Sequence, residues 1–359
     1  MEFLLILVAL VLAFGNGAND NFKGFATVWG SDTLSYRKAL LLATVATLAG
    51  SLLSVFLAGS LVEQFSGKGL LPALIVSTPH FIWSVGIGAA LTVMIATRAG
   101  LPISTTHALI GGLVGAGLAA SPGELQLGKL WNTFFAPLLF SPAVAALLSF
   151  AAYRLLRLRA VQNDCACVMA PESTVVPAQG VAMFRIAMPR LVIAEDAACN
   201  GAAHPAARFS ITRILDRLHI FSAGLICFAR GVNDTPKLTA LLIAAHLLDG
   251  GMPVTLIAVA MGVGGLMFAR RVAETMSRRV TRLDHTQGVA ANLITATLVL
   301  GASHLGLPVS TTHVSVGSIA GVGASADALN WGTLRNVLLS WVATLPMAAG
   351  IAWIALKIL

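Results

Sequence analysis

Four short stretches of this sequence hold polar side chains in surroundings that are otherwise strongly apolar. Two read Ser104-Thr105-Thr106-His107 and Ser310-Thr311-Thr312-His313, each preceded by a Leu-Pro pair and followed by a glycine-rich apolar run. The other two read Asn19-Asp20 followed by Lys23, and Asn233-Asp234 followed by Lys237. Proline cannot extend a helix that precedes it, and Ser or Thr is a preferred N-cap, so each cassette is expected to start a helix at about Ser104 or Ser310. At such a start the unpaired N–H groups, the positive helix end and three hydroxyl donors together suit a tetrahedral oxyanion. The glycines that follow let these helices approach their neighbours closely.

Each charge at a bilayer centre costs about 2.5 to 3.5 kcal/mol on insertion scales, so Asp20, Lys23, Asp234 and Lys237 should face one another or a water-filled path. Asn19 and Asn233 are candidate donors to an anion, and their amide oxygens are equally candidate ligands of a cation. Gly15, Gly17 and Gly231 are available to break the helices around these motifs. Arg230 stands where the first motif has Asn16 and adds positive potential. The plainer readings are hydroxyls bonded back to their own helix and a structural Asp–Lys pair three residues apart. Repetition of both motifs weighs against them. His107 and His313 are candidate proton carriers, although a histidine in a packed helix is often only a structural hydrogen bonder. A Ser–His hydrolase is disfavoured, because a histidine two or three residues away on the same helix is poorly placed to take the proton. No catalytic residue is therefore expected. An anion channel is the nearer rival, since paired helix starts also suit channel filters.

These residues need a scaffold, and composition says which kind. The chain has 359 residues, 57% hydrophobic and only 11% charged, with a mean hydropathy of +0.85. Soluble domains carry about 25% charged residues. Apolar stretches of roughly 20 residues recur along the chain and ten-residue alternation is absent, which points to an all-α integral membrane protein lodged in a lipid bilayer. The net charge of +8 sits at the ends of apolar stretches, as the positive-inside rule expects, and not in a nucleic-acid-binding patch. The first apolar run lacks a basic leader and reads as a retained helix. Glu63, Glu124, His80 and His304 read as residues at the membrane ends.

The segments Ala13–Ala26 and Cys227–Ala240 match one another, as do the two Ser-Thr-Thr-His cassettes, so the chain is read as a tandem duplication. Residues 1–159 form the first transmembrane repeat, 160–212 a cytoplasmic linker loop, and 213–359 the second repeat. The first half suggests spans near 3–29, 39–62, 81–97, 103–121 and 131–158. The second suggests 218–247, 254–272, 287–304, 310–324 and 333–356. Five crossings per half would invert the second repeat, giving about ten helices with broken or re-entrant half-helices. Placing the long loop, Arg37, Lys38, Arg98 and the arginines from 270 to 282 inside leaves both termini outside the cytoplasmic membrane.

Residues 160–212 show no long period and read as a linker joining the halves, with "VAMFRIAMPRLVI" as a short interfacial piece. Cys165, Cys167, Cys199 and Cys227 fit no common zinc spacing and are expected as free thiols, with no metal site and no resident cofactor.

The duplicated "GAND"/"GVND" and "PISTTH"/"PVSTTH" motifs resemble those of the PiT (Pho4) family of inorganic phosphate transporters, over nearly all of the chain except residues 160–212. The resemblance implies a scaffold plus a transport region, often a homodimer, that carries phosphate, or in some relatives sulfate, with sodium or protons. It also implies that Asn19, Asp20, Ser104, Thr105, Thr106, Asn233, Asp234, Ser310, Thr311 and Thr312 form the anion and coupling-ion sites, the hydroxyls taking the anion and the aspartates chiefly the cation. The family's motif usually runs Asp-x-x-Asn, whereas this chain has Lys23 and Lys237. An ammonium group in the place of a coupling cation is the expectation that follows, with proton coupling or ion-independent exchange.

Overall fold

The computed structural model describes residues 2–157, 165–169, 173–178, 181–186, 190–194, 205–244, 251–280 and 283–358. It is mostly helical and divides into a large unit, Met1–Arg154 with His219–Leu359, and a small one, Leu155–Leu218.

In the first half, α1 (Glu2–Asp20) breaks at Asn21 and Phe22, tightens into a 3₁₀ turn over Lys23–Phe25 and resumes as α2 (Ala26–Gly30). Then come α3 (Tyr36–Leu57), the short α4 (Ser60–Phe65) and α5 (Ala73–Val76), α6 (Pro79–Arg98) and α7 (Thr105–Ala120). The short α8 (Leu127–Leu130) leads through a π turn at Trp131–Phe135 into α9 (Ala136–Arg157). The second half contains α10 (Ile211–Ala244), α11 (Met252–Phe268) and the short α12 (Arg270–Glu274), which continues into a π turn at Thr275–Arg279. It ends with α13 (His285–His304), α14 (Thr311–Ser325) and α15 (Trp331–Ile358).

Among the described residues, five helical stretches are long and apolar enough to cross a membrane: Phe3–Gly30, Tyr36–Leu57, Pro79–Arg98, Leu127–Leu155 and Trp331–Ile358. Met252–Phe268 with Arg270–Arg279, bent by 66°, makes a sixth. Helix α10 carries six charged residues and α13 buries Gln287, Asn292, Thr295 and Ser303, which lowers their apolarity. Helices α7 and α14, with 16 and 15 residues, are roughly 24 and 22 Å long at 1.5 Å per residue, short of the ~30 Å hydrocarbon layer. Both begin at buried residues inside the protein.

The halves interleave. Helix α1 packs along α11, and α7 along α15. Small residues allow this: a Cβ on Gly17 would lie 1.9 Å from the Met261 carbonyl oxygen of α11, so only glycine fits. Gly231 plays the same part against α3, where a Cβ would lie 2.3 Å from the Thr47 oxygen. That corrects the expectation that Gly231 breaks its helix. Helix α10 runs unbroken through "GVND" and through Pro236, whereas the chain does break just after "GAND". The glycine at each motif is there for close approach of two backbones.

The small unit corrects the all-α expectation. Strands β1 (Cys165–Met169), β2 (Ser173–Ala178), β3 (Val181–Ile186), β4 (Arg190–Ala194) and β5 (Pro205–Ser210) form an antiparallel sheet in the order β4-β1-β5 and a separate β2-β3 hairpin. The piece expected to lie at an interface is thus β3 and β4. Strands of five or six residues give too short a run for period-two alternation to stand out. Cys167 is disulfide-bonded, contrary to the free-thiol expectation, while Cys165 and Cys227 are free and buried. Cys199 lies outside the described residues.

Candidate functional site

Both cassettes start helices at the expected residues. Ser104 caps α7 with its side-chain oxygen accepting from the His107 N–H at 3.1 Å, and Ser310 caps α14 by accepting from the His313 N–H at 3.2 Å. The caps match in backbone angle, φ −98° and ψ 114° against φ −101° and ψ 117°. The turns that lead into them match too, because Gly100 and Gly306 hold φ of +70° and +67°, a region that a side chain rarely adopts. Each capping hydroxyl uses its oxygen as acceptor and keeps its O–H as a donor.

The lysines join the two starts reciprocally. Lys23 Nζ donates to the Ile103 carbonyl at 3.0 Å, which directly precedes the first cap, and to the hydroxyl of Thr312 behind the second cap. Lys237 Nζ donates to the Val309 carbonyl at 2.6 Å, which precedes the second cap, and to Thr106 Oγ1 at 3.0 Å behind the first. Thr312 Oγ1 also donates to the Ile103 carbonyl at 2.8 Å. Each ammonium therefore pins its own half's cap to a threonine of the other half. Asp20 and Asn19 Oδ1, the latter at 3.2 Å, complete the oxygen shell of Lys23, and Asp234 lies 3.8 Å from Lys237.

The asparagines hold the approaches to the caps. Asn19 Nδ2 donates to Thr97 Oγ1 and to the Leu101 carbonyl, both at 3.0 Å, and its Oδ1 accepts from the Ile103 N–H at 3.2 Å. Asn233 Nδ2 donates to Asp234 at 2.9 Å and to the Val309 carbonyl at 3.3 Å, and its Oδ1 accepts from Ser303 at 3.1 Å. Asn16 Nδ2 donates to Thr105 Oγ1 at 2.9 Å, to Asp20 at 3.2 Å and to Asp234 at 3.3 Å. Thr311 is buried at the start of α14 beside the others.

Three cations, Lys23, Arg230 and Lys237, thus share one buried cluster with two carboxylates, Asp20 and Asp234. Fully ionised, the cluster has one positive charge to spare, and away from water such a charge favours an anion. Asn16, Thr105, Thr106, Asp234 and Lys237 line a void of about 140 Å³ that is too narrow for a water-sized sphere. The void has no room for an anion while the Lys–Thr bonds are closed.

His107 and His313 face each other. Their ring centroids are 4.4 Å apart, and His313 is 3.8 Å from the Trp341 ring. Both line a cavity of about 530 Å³ walled mainly by apolar side chains, including Leu138, Pro142 and Leu345. Neither ring is bonded to its cap serine, whose oxygen takes a main-chain N–H instead. Sequence reasoning missed Asn16 as a ligand of both aspartates, Thr97 and Ser303 as partners of Asn19 and Asn233, and the carbonyls of Ile103 and Val309. Carbonyls carry no residue-type signal. Thr97 and Ser303 stand at matching distances before the two cassettes, which was the available clue.

Known proteins match this chain over nearly their full lengths. The chain is 29% identical to "Putative phosphate permease PH0640" of Pyrococcus horikoshii, covering 99% of this chain and 97% of that one. It is 26% identical to a "Probable low-affinity inorganic phosphate transporter" of Bacillus subtilis, covering 100% and 97%. In fold it is similar to a solved structure titled "The sodium-dependent phosphate transporter", with a TM-score of 0.79 at 22% identity over 99% of this chain and 98% of that one. The model of the phosphate transporter family matches residues 16–352, nearly the whole of the repeated architecture, and the chain belongs to that family.

Proposed function

We propose that this protein carries inorganic phosphate across a membrane by alternating access, binding the anion between the helix starts at Ser104 and Ser310. The observation that carries the reading is the pair of reciprocal lysine bridges across the two caps. Inverted repeats place one such cassette on each side of a central site, and rocking one assembly against the other exposes the site alternately. The hydroxyls of Ser104, Thr105, Thr106, Ser310, Thr311 and Thr312 and the amides of Asn19 and Asn233 are the anion's donors. Asp20 and Asp234 favour phosphate over sulfate, because a carboxylate can accept the proton that phosphate retains near neutral pH.

Lys23 stands in a shell of carboxylate, amide, carbonyl and hydroxyl oxygens, the ligand set a hard cation takes. The tethered ammonium groups therefore occupy the place of coupling cations. Transport needs no sodium and runs with protons or as exchange. The arginines from 270 to 279 together with Arg98 mark the cytoplasmic side of an inner membrane, and both termini lie outside.

The test is uptake of radiolabelled phosphate into proteoliposomes, with sodium or without it, at two pH values, and with excess unlabelled sulfate. Saturable, sodium-independent uptake that sulfate does not compete away is expected, and counterflow of tracer separates a transporter from a channel. Dependence on sodium would sink the lysine assignment, and abolition by sulfate would reassign the anion.

A further inference from the structure

We infer that the protein has a second anion-docking site, an arginine-lined vestibule beside Asn19 that captures oxyanions from one membrane face before they reach the central site. The inference rests on the phosphate-transport reading above. A cavity of about 620 Å³, walled in part by Met94, Met267 and Phe268, carries the exposed Arg98, Arg270 and Arg271 and the partly exposed Glu274 together with the buried Ala18 and Thr97. At about 30 Å³ of liquid per water it holds roughly 20 waters, ample for a hydrated anion. Thr97 Oγ1 accepts from Asn19 Nδ2, and Asn19 Oδ1 accepts from Lys23 Nζ. Two side chains separate the vestibule from the lysine bridge.

The charge of the cavity fits an oxyanion. Three guanidinium groups share the cavity with a single carboxylate, Glu274, which Arg270 holds at 3.1 Å, while Arg271 Nη1 donates to the Arg98 carbonyl at 2.8 Å. The planar guanidinium fork matches the paired oxygens of phosphate.

The other half shows that Arg98 and Arg270 are not needed to build the turn. Residues 268–274, Phe-Ala-Arg-Arg-Val-Ala-Glu, match residues 57–63, Leu-Ala-Gly-Ser-Leu-Val-Glu, so Arg270 and Arg271 correspond to Gly59 and Ser60. By the spacing of the two cassettes, Arg98 corresponds to His304. The two segments do the same packing: the Arg271 backbone lies against Gly100, and Ser60 lies against Gly306. Arg271 helps hold its own turn, but Arg98 and Arg270 stand where the other half has His304 and Gly59, so the fold at that cap does without their charge. A funnel of one sign raises the local concentration of its ion and its on-rate.

Membrane orientation by positive charge is the competing account, and sidedness separates the two. In proteoliposomes sorted by orientation, kcat/KM for phosphate is measured from each face at low and high salt. R98Q/R270Q is expected to lower it about tenfold at low salt on the Arg98 face only, and to flatten the salt dependence there. R98K/R270K should keep most of the wild-type value. An unchanged value on that face, an equal fall on both faces, or a lysine variant as poor as the glutamine one would each overturn the vestibule. Equilibrium binding of radiolabelled phosphate to the detergent-purified protein supplies a readout independent of transport. Two classes of site are expected, the weaker being lost in R98Q/R270Q. A single site unaltered by the variant overturns the inference, whereas two sites in a protein that moves no phosphate would overturn only the transport reading.

Discussion

Arg230 donates from Nη2 to Asn16 Oδ1 at 2.6 Å, so the two residues that hold matching places ahead of the repeated motifs touch one another. The contact orients the Asn16 amide: with its oxygen on the guanidinium, its nitrogen must face Asp20, Asp234 and Thr105. Arg230 reaches Asp234 itself at 3.5 Å and Asn21 Oδ1 at 3.1 Å. One buried cation thereby fixes both carboxylates of the site.

Arg230→Gln should therefore cost stability as well as transport. Removing one partner of a buried ion pair costs about 3 to 5 kcal/mol. Thermal unfolding in detergent should show a lowered midpoint, and uptake should be lost, with Arg230→Lys intermediate. A variant with wild-type stability and wild-type uptake would show that the guanidinium organises nothing.

The reciprocal bridges predict matched effects from the equivalent threonines of the two cassettes. Thr106→Val and Thr312→Val each remove one hydroxyl that would donate to the bound anion, a hydrogen bond to a charged group worth about 1.5 to 3 kcal/mol. Each should weaken phosphate affinity by roughly ten- to a hundredfold, and the serine variants should recover most of it. If one valine variant is silent and the other is not, the two halves do not share the site equally.

Replacing the ammonium groups should change the ion requirement. Lys23→Asn with Lys237→Asn leaves the Asp20, Asn19, Ile103 and Thr312 oxygens without their tethered cation. Uptake by the double variant is expected to be weak in choline buffer and stimulated several-fold by sodium. Uptake that stays indifferent to sodium would remove the argument that these lysines stand in for a coupling ion.

Gly17→Ala tests the packing that holds the cluster shut. The new methyl would meet the Met261 carbonyl at 1.9 Å, so α1 and α11 must separate, and yield and monodispersity in detergent should fall sharply. Gly128→Ala, with open space around it, serves as the control and should behave as wild type. Equal behaviour of the two variants would mean that the helix pair is looser than the structure describes.

Much of this site was legible in one dimension, because a Pro-Ser-Thr-Thr start and an Asp-Lys pair act through local rules. Leu-Pro ends one segment, Ser104 and Ser310 cap the next, and duplication of both motifs marks them as belonging together. The small β unit escaped notice because strands of five residues leave too little pattern to read. The continuity of α10 through "GVND" escaped for another reason. Gly231 signals a break by propensity, yet the neighbouring α3 backbone, 2.3 Å from where its Cβ would be, is what requires it.

Composition, capping and burial cost act within a few residues, which is why the membrane class, the repeated motifs, the two helix starts and the identity of nearly every charged residue in the cluster could be read from the chain. Tertiary structure alone decided which half each side chain serves. Lys23 is bound to Thr312 and Lys237 to Thr106 because the interleaved helices bring residues 289 and 131 positions apart within hydrogen-bonding reach. The pairing of His107 with His313 and the gathering of Arg98, Arg270 and Arg271 around one cavity were settled the same way, by contacts between segments that no local rule connects.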